Sequence, residues 1–561
     1  MIAFRPLAGP SRQRRIQRPI SMLASPSALL SLVAVFALLL GFFAPGSLHA
    51  QVVLDTALEE LPEPQLDDAG ESLPLSLEQA IEIALRRNLD LVLQRYDRAS
   101  AELGLGRDLG IYDPNLTASY TLTDETFSAG SDLDGAAVRT DEDATWRADL
   151  SQLTPYGGTA TFSLFQRRIS TNNVNVPLNP QYTQAWDLRF VQPLLRNFGR
   201  LATERQLLLT RRDIALSQEA FEQQVITVIQ SVENAYWNLV RSRKQLEVSQ
   251  QSLDLAQELL ERNKIRVEVG TLAPFELVQS EAGVARREGD IIRNSAAVGD
   301  AEDELRRLLN LDEGQVWNLE LVPTTQAEVS DLDVSVDSAI AIALEERSEL
   351  QTQDLTVERL EVESKYFDNQ QLPGLDLDVT YGPTAVAGST GDAFDIIRDR
   401  DFDGWTIRLS ATYDIGNRSA KARSAIADVA LDRGRTARTQ LEQRIATEVR
   451  SAVRQLEAAA KEVDAARASR EAQEKSLEAE RKRFENGMST SFQVLQIQED
   501  LATAQSEEVR AITSYRNQLT EYQRSIGRLL TENGVELTDS VAEASAEDDE
   551  GGFWDFLTSS D

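Results

Sequence analysis

Apolar positions along the chain follow two periods, one helical and one of two residues, and the order of these stretches occurs twice. Leu77, Ile81, Ala84, Leu85, Leu89, Val92 and Tyr96 follow the helical period and predict a helix over 76–111. Ser76 and Gln79 stand at capping-box spacing at its start. Asp113-Pro114 should end it, because the residue before proline resists the helical region. A second such helix is expected over 336–371, ended by Leu372-Pro373. Period-two segments follow: 116–123, 186–190, 375–381 and 405–415. Each alternates Leu, Trp, Tyr, Val, Ile or Phe with Thr, Ser, Asp or Arg, which puts one kind of side chain on each face. Very long helices are then predicted over 199–267 and 418–484. Turns at Gly270-Thr271 and Gly487-Met488 lead into last helices over 275–310 and 491–530.

The two series are copies of one plan. LEQAIEIALRRNLDL (77–91) is echoed by VDSAIAIALEERSEL (336–350), AWDLRF (185–190) by GWTIRL (404–409), and VGTLAPFELVQSE (269–281) by NGMSTSFQVLQIQ (486–498). The expected divisions are a leader over 1–50, an extension over 51–75, repeat 1 over 76–310, a linker over 311–335, repeat 2 over 336–530 and an acidic tail over 531–561. In the first long helix Leu239, Leu246, Leu253, Leu260 and Val267 recur every seven residues, with Ser242, Ser249, Ala256 and Asn263 three places behind the first four. That is a heptad seam. In the second copy Leu456, Val463, Leu477 and Phe484 keep it and Arg470 interrupts it, with Glu474 one turn on as its expected partner. Tyr236 and Trp237 are read as packing residues.

A helix over 199–267 is ~100 Å long, a rod that no small domain needs. The shorter helices, laid end to end, match it. The strands then lie at one pole and the glycine turns at the other. No helix is left to cover the apolar strand faces, so lipid is the expected cover: Trp186, Leu188, Phe190, Leu377, Val379, Tyr381, Trp405, Ile407, Leu409 and Tyr413 are lipid-facing candidates. Asp187, Arg189, Asp376, Asp378, Arg408 and Asp414 are pore-lining candidates. A sheet in hydrocarbon must close, and four strands cannot close alone. The expected architecture is mainly α with membrane β: an oligomeric β-barrel shared between subunits, continued by a long antiparallel coiled-coil barrel.

Composition narrows the chemistry. The formal charge is −34, and the five arginines of residues 1–50 face no acid there, so the remainder is more acidic still. Unspecific nucleic-acid binding is therefore not expected. There is no cysteine and one histidine, His49, so thiolate zinc sites, disulfides and histidine-based catalysis are excluded, and neither cofactor nor enzyme is expected. The arginines, an apolar run over 28–44 and a small residue at Ala50 have the order of a secretory signal peptide; the rival reading is an uncleaved inner-membrane anchor.

The chain resembles the TolC-like outer-membrane efflux protein family over about 76–530. The resemblance is carried by LEQAIEIALRRNLDL and its echo, DPNLTASYT, PGLDLDVTY, RFVQPLLRNFG, AYWNL and the paired turn segments. It implies a homotrimer with a twelve-stranded barrel in the outer membrane and a periplasmic helical tunnel. It also implies a periplasmic adaptor protein and an inner-membrane pump docked on the tips, where Gly270, Thr271, Gly487, Met488 and Ser489 lie. Constriction near the tips would bring in Arg481, Lys482, Arg483 and Glu485. Two features depart from the pattern: no cysteine follows the leader for a lipid anchor, and the first copy carries an extra segment, WRADLSQLTPYGGTATFSLF (146–165), with hairpin chemistry. That hairpin is read as lying on the loop side; the alternative is six wall strands per chain. The expected function is an outer-membrane duct of a tripartite efflux or type I secretion system, passing small molecules or polypeptides. The competing reading is a soluble periplasmic coiled-coil scaffold or chaperone.

Overall fold

The computed structural model describes residues 72–128, 138–311, 319–329, 334–399 and 402–535. The leader, most of the extension and the tail beyond 535 lie outside them.

A small parallel pair opens the fold. β1 (Ser72–Leu75) pairs with β6 (Glu320–Pro323), joining the extension to the linker. Tyr236 of the first rod holds it: the phenol donates to the Leu75 carbonyl and accepts from the Thr325 N–H, both at 3.0 Å. Tyr236 and Trp237 are fully buried, packing against one another edge to face.

The predicted first helix is two helices. α1 (Leu77–Arg87) starts with the expected Ser76–Gln79 capping box, and α2 (Leu89–Leu109) follows. Between them Asn88 is extended at φ −60°, ψ 127°. Its side chain accepts from the N–H groups of Asp90 and Leu91 and donates to Leu308 O at 2.8 Å. An asparagine inside an apolar period had read as one helical residue among others. Here it supplies the cap that a new helix start needs. The second copy breaks at the equivalent place: α6 (Val336–Glu346) and α7 (Ser348–Asn369) meet at an extended Arg347.

A four-residue helix, α3 (Arg200–Thr203), precedes the first rod, α4 (Arg205–Glu268). α4 packs on α2, α7, the returning α5 (Pro274–Leu309) and α10 (Ser491–Ser525). The second rod, α9 (Arg418–Glu485), packs on α6, α7 and α10. Ser249, Ser252, Ala256, Leu259 and Asn263 are the buried seam of α4 towards the tip, whereas Leu246, Leu253, Leu260 and Val267 are half-buried along its flank. The heptad is real, but its centre is the small layer. Small residues let α5 and α10 approach the rod closely, and Leu259 fills the seam between them. Arg470 pairs with Glu474 at 2.8 Å as expected and also with Glu508 of α10 at 2.6 Å. The chain ends its described course in α11 (Leu529–Glu532), where Leu529 is buried in the main core.

Six antiparallel strands form the second layer of the molecule, in the order β2-β3-β4-β5-β7-β8. They are β2 (Asn115–Ser128), β3 (Val138–Leu153), β4 (Thr159–Thr171), β5 (Gln181–Pro193), β7 (Gly374–Ala387) and β8 (Asp403–Thr412). The extra hairpin is thus not a loop-side structure: β3 and β4 sit inside the sheet, β3 paired to β2 over 138–151 and β4 to β5 over 159–169. Its alternation matches that of its neighbours, so both faces run on without a break. Its turn closes through Thr154 N–H to Gly158 O at 2.7 Å, with Gly157 at φ +85°. A helix, α8 (Thr390–Asp399), interrupts the β7–β8 connection. β8 is shorter than predicted and ends at Thr412. Tyr413 and Asp414 therefore lie beyond the strand, where Asp414 O accepts from Asn417 N–H in the turn into α9.

Candidate functional site

Two places carry the chemistry: the six-stranded wall and the pair of helical tips.

On one face of the wall, register brings together Leu116, Tyr120, Trp146, Leu150, Phe162, Leu164, Trp186, Leu188, Phe190, Leu377, Val379, Tyr381, Trp405, Ile407 and Leu409. Every strand candidate for lipid contact lies on this face; Tyr413 alone lies past the strand. Trp405 is 73% exposed and Leu188 52% exposed, in a sheet with no second layer over these rows. Monomeric water-soluble proteins rarely show so large a continuous apolar patch. Five of the aromatics, Tyr120, Trp146, Trp186, Tyr381 and Trp405, form a band across the sheet, near mid-strand on β3, β5 and β7, nearer the rods on β2 and near the remote end of β8. Trp186 stacks edge-on against Tyr381 at 5.9 Å.

The opposite face is ionic. Arg189 holds Asp378 with two parallel bonds, Nε to Oδ1 at 3.0 Å and Nη2 to Oδ2 at 2.7 Å, and Arg408 lies 3.6 Å from the same carboxylate. Further along are Arg147 with Asp149 at 2.8 Å and Arg167 with Asp143 at 2.5 Å. Asp187 and Asp376 share this face and stand outside these pairs. The candidates Asp187, Arg189, Asp376, Asp378 and Arg408 are thus brought together, and Asp414 is not. Sequence spacing could not show that the charges neutralise one another across strands, because it does not give register.

At the other pole both rods end in the same hydrogen-bonded turn. Gly270 N–H donates to Val267 O and Thr271 N–H to Arg266 O; Gly487 N–H donates to Phe484 O and Met488 N–H to Arg483 O. This is the Schellman arrangement, and it requires positive φ at the glycine: +75° at Gly270 and +73° at Gly487. Neither Thr271 nor Ser489 caps the helix that follows it. Thr271 Oγ1 bonds back to Arg266 O, and Ser489 Oγ bonds to Glu480. Thr490 caps α10 instead, and Ala273 precedes Pro274 at the start of α5. The tips are tied to one another by Asn263, fully buried, which donates to Ser280 Oγ at 2.7 Å and Ser491 Oγ at 2.9 Å. Outside this lock, Val269, Phe275, Met488 and Phe492 are each more than half exposed. Nearby, Arg483 and Lys482 pair within α9, with Glu480 at 3.2 Å and Glu478 at 2.7 Å.

Between the poles a charge cluster gathers at the break in the second copy. Arg347 bonds Glu349 and Glu448, the latter at 2.9 Å, and Arg524 bonds Glu448 at 2.5 Å and Glu521 at 2.7 Å. Burial pushes the Glu349 and Glu448 carboxyls up. The hydrogen bonds and charge of Arg347, with Arg524 beside it, outweigh burial and hold both below the ordinary value of 4.5. Its partners come from three separate helices, so sequence could not reveal it. Another feature hidden from sequence is Arg287, buried in the α4 seam, where it donates to Ser252 Oγ and to the Gly283 and Leu495 carbonyls. Among the described residues no acidic or histidine cluster could hold a metal ion, and no helix is long and apolar enough to cross a membrane.

This division, with an uncovered two-faced sheet at one pole and locked rods at the other, is the build of an outer-membrane export duct. The outer membrane efflux protein model matches residues 187–311 and 339–528, and the chain belongs to that family. It is a family of channels, and the chain is an outer-membrane duct for efflux. No curated protein matches it in sequence. Among solved structures it is similar to the CmeC outer membrane channel of Campylobacter jejuni, at 16% identity and TM-score 0.59, covering 86% of this chain and 90% of that one. It is similar to the outer membrane protein VceC of Vibrio cholerae, at 15% identity and TM-score 0.57, covering 80% and 96%. The open-state MtrE channel of Neisseria gonorrhoeae gives 16% identity and TM-score 0.58, covering 81% and 89%.

Proposed function

We propose that three copies pool their sheets into one barrel in the outer membrane and their rods into one periplasmic tunnel. The conduit then passes small molecules or polypeptides outward along a gradient imposed by a partner pump. The observation that carries this is the apolar face, continuous over six strands and without a protein cover. Lipid is the cover it fits, and the ionic face then lines water. An even number of strands favours closure: β2 leads away from the rods and β8 returns towards them, so β8 of one copy meets β2 of the next antiparallel. Three sheets of six strands make eighteen, in place of the twelve that the resemblance implies. A soluble scaffold would leave Trp405, Ile407 and Leu409 in water.

The adaptor is expected at the tips, where rigid turns present Val269, Phe275, Met488 and Phe492. The chain has no cysteine, so single cysteines are clean probes. Thr271→Cys and Ser489→Cys should cross-link to a periplasmic adaptor in intact cells, and Glu471→Cys, exposed along the rod, should not. Equal cross-linking at all three positions would remove the tips from the docking role. For the barrel, the purified chain should run as a trimer and form single conducting units in planar bilayers. A monomeric, non-conducting, water-soluble product would end the proposal.

A further inference from the structure

The β7–β8 connection contains a helix that neither wall nor rods require. α8 begins over β5, where Thr390 O accepts from Gln184 Nε2 at 3.3 Å. It packs Ala393, Ile396 and Ile397 on Ala385 and Ala387 of β7. The chain then enters β8 on the far side of β7. α8 therefore crosses the strands.

Register decides which face it crosses. Gln184 pairs with Ala385 and lies two residues from Trp186, on the apolar face. α8 thus lies on that face, one rung beyond the aromatic band. Backbone chirality fixes the rest. Leu375 O accepts from Leu194 N–H on the β5 side, and Thr384 N–H donates to Phe402 O on the β8 side. For L-residues this puts β8 to the left of β7 when the apolar face is viewed with the rods below. A right-handed helix running from β5 to β8 over that face turns Phe394 down towards the aromatic band, and Asp392 and Asp399 away from it. Phe394 is 59% exposed, a large cost for an aromatic ring left in water.

We propose that α8 is an interfacial anchor, lying in the plane of the outer leaflet with Phe394 inserted at the boundary between headgroups and acyl chains. The inference rests on reading the sheet as bilayer-inserted. The depth is set by the aromatic band, since such residues mark the membrane–water boundary in barrels. The helix above it has the build of a surface-lying amphipathic segment, apolar on two sides and charged on the others.

The test uses single-cysteine variants of the full chain, Phe394→Cys, Asp392→Cys and Leu188→Cys, each carrying an environment-sensitive fluorophore. They are reconstituted in phosphatidylcholine vesicles containing lipid nitroxides at acyl carbon 5 or carbon 12. The Leu188 site should be quenched most by carbon 12. The Phe394 site should be quenched several-fold more by carbon 5 than the Asp392 site, which should remain open to aqueous iodide. If Leu188 is quenched and Phe394 behaves like Asp392, the anchor is overturned and the barrel stands. If Leu188 is not quenched, the barrel reading itself fails. A Phe394 label shielded from both lipid and iodide would put a neighbouring copy over α8, and would also overturn the anchor.

Discussion

Asp378 sits between two guanidiniums on the ionic face, bonded twice by Arg189 and approached by Arg408. One carboxylate thus offsets two cations, and its removal leaves both uncompensated on the strand face read as lining the pore. Asp378→Asn is expected to move the reversal potential under a salt gradient towards anion preference, and by more than Asp414→Asn, whose acid lies beyond the strand. Planar-bilayer measurements on the two variants check this, and an equal shift from both would remove Asp378 from the pore wall. The alternation of charged and apolar residues was readable because period two is a property of single strands. The pairing of charges was not, because register belongs to two strands at once. Tyr236 and Trp237 were readable as packing by their place on a helical period. The cap made by Asn88 was not, because its oxygen and amide act through a break that the apolar period runs across.

At the scale of elements, the break at Arg347 is held by charge. Asn88 holds the equivalent break in the first copy with neutral hydrogen bonds, so the two copies should respond differently to acid. Glu448 and Glu349 are held below their ordinary value, so the native state binds protons more weakly than the unfolded chain. The stability they contribute is fully present above about pH 4.5 and is lost as pH falls through their lowered native values. Glu448→Gln should lower stability at pH 7 by ~1.5–3 kcal/mol, the range for hydrogen bonds to charged groups. The deficit relative to wild type should shrink in acid, where the native carboxyl is itself protonated. Thermal unfolding of both proteins in detergent at pH 7 and pH 3 tests this, and a deficit that does not change with pH would assign the loss to packing. A second test at this scale concerns the tips. Gly270→Ala meets open space but needs positive φ, so it should cost ~1–2 kcal/mol of local stability. Amide exchange faster around 266–272 and unchanged in the rods is the expected signature. Rods and turns were legible because their signals are local: long helical periods ended by Gly270 and Gly487. Of the seam's two layers, the small one, Ser249, Ala256 and Asn263, is buried as read, whereas Leu246, Leu253, Leu260 and Val267 are only half-buried because they lie on its flank.

For the whole molecule, the decisive quantity is the strand count. Barrel diameter grows roughly linearly with the number of strands, so eighteen strands give a wall about one and a half times as wide as twelve. The hairpin that makes the difference is separable. β2 leads away from the rods and β5 leads back, so deleting residues 129–171 leaves β2 joined to β5 through the segment 172–180. The direction of every remaining strand is kept. The apolar and ionic faces would still alternate in phase, since Leu116 and Tyr120 on β2 and Trp186 and Leu188 on β5 belong to one face in the intact sheet. The shortened chain should therefore still form trimers, with a barrel about two-thirds as wide and rods of unchanged length. Electron microscopy of both proteins in lipid nanodiscs measures the two widths directly. Equal widths would mean that β3 and β4 leave the wall on assembly and that twelve strands close it. Sequence could not decide between these outcomes, because the turn at Pro155-Tyr156-Gly157-Gly158 is the same chemistry in a wall hairpin and in a loop. What separates the two is pairing on both outer sides: β3 to β2 and β4 to β5 run without a gap, and a hairpin held on both flanks has no free edge with which to fold away.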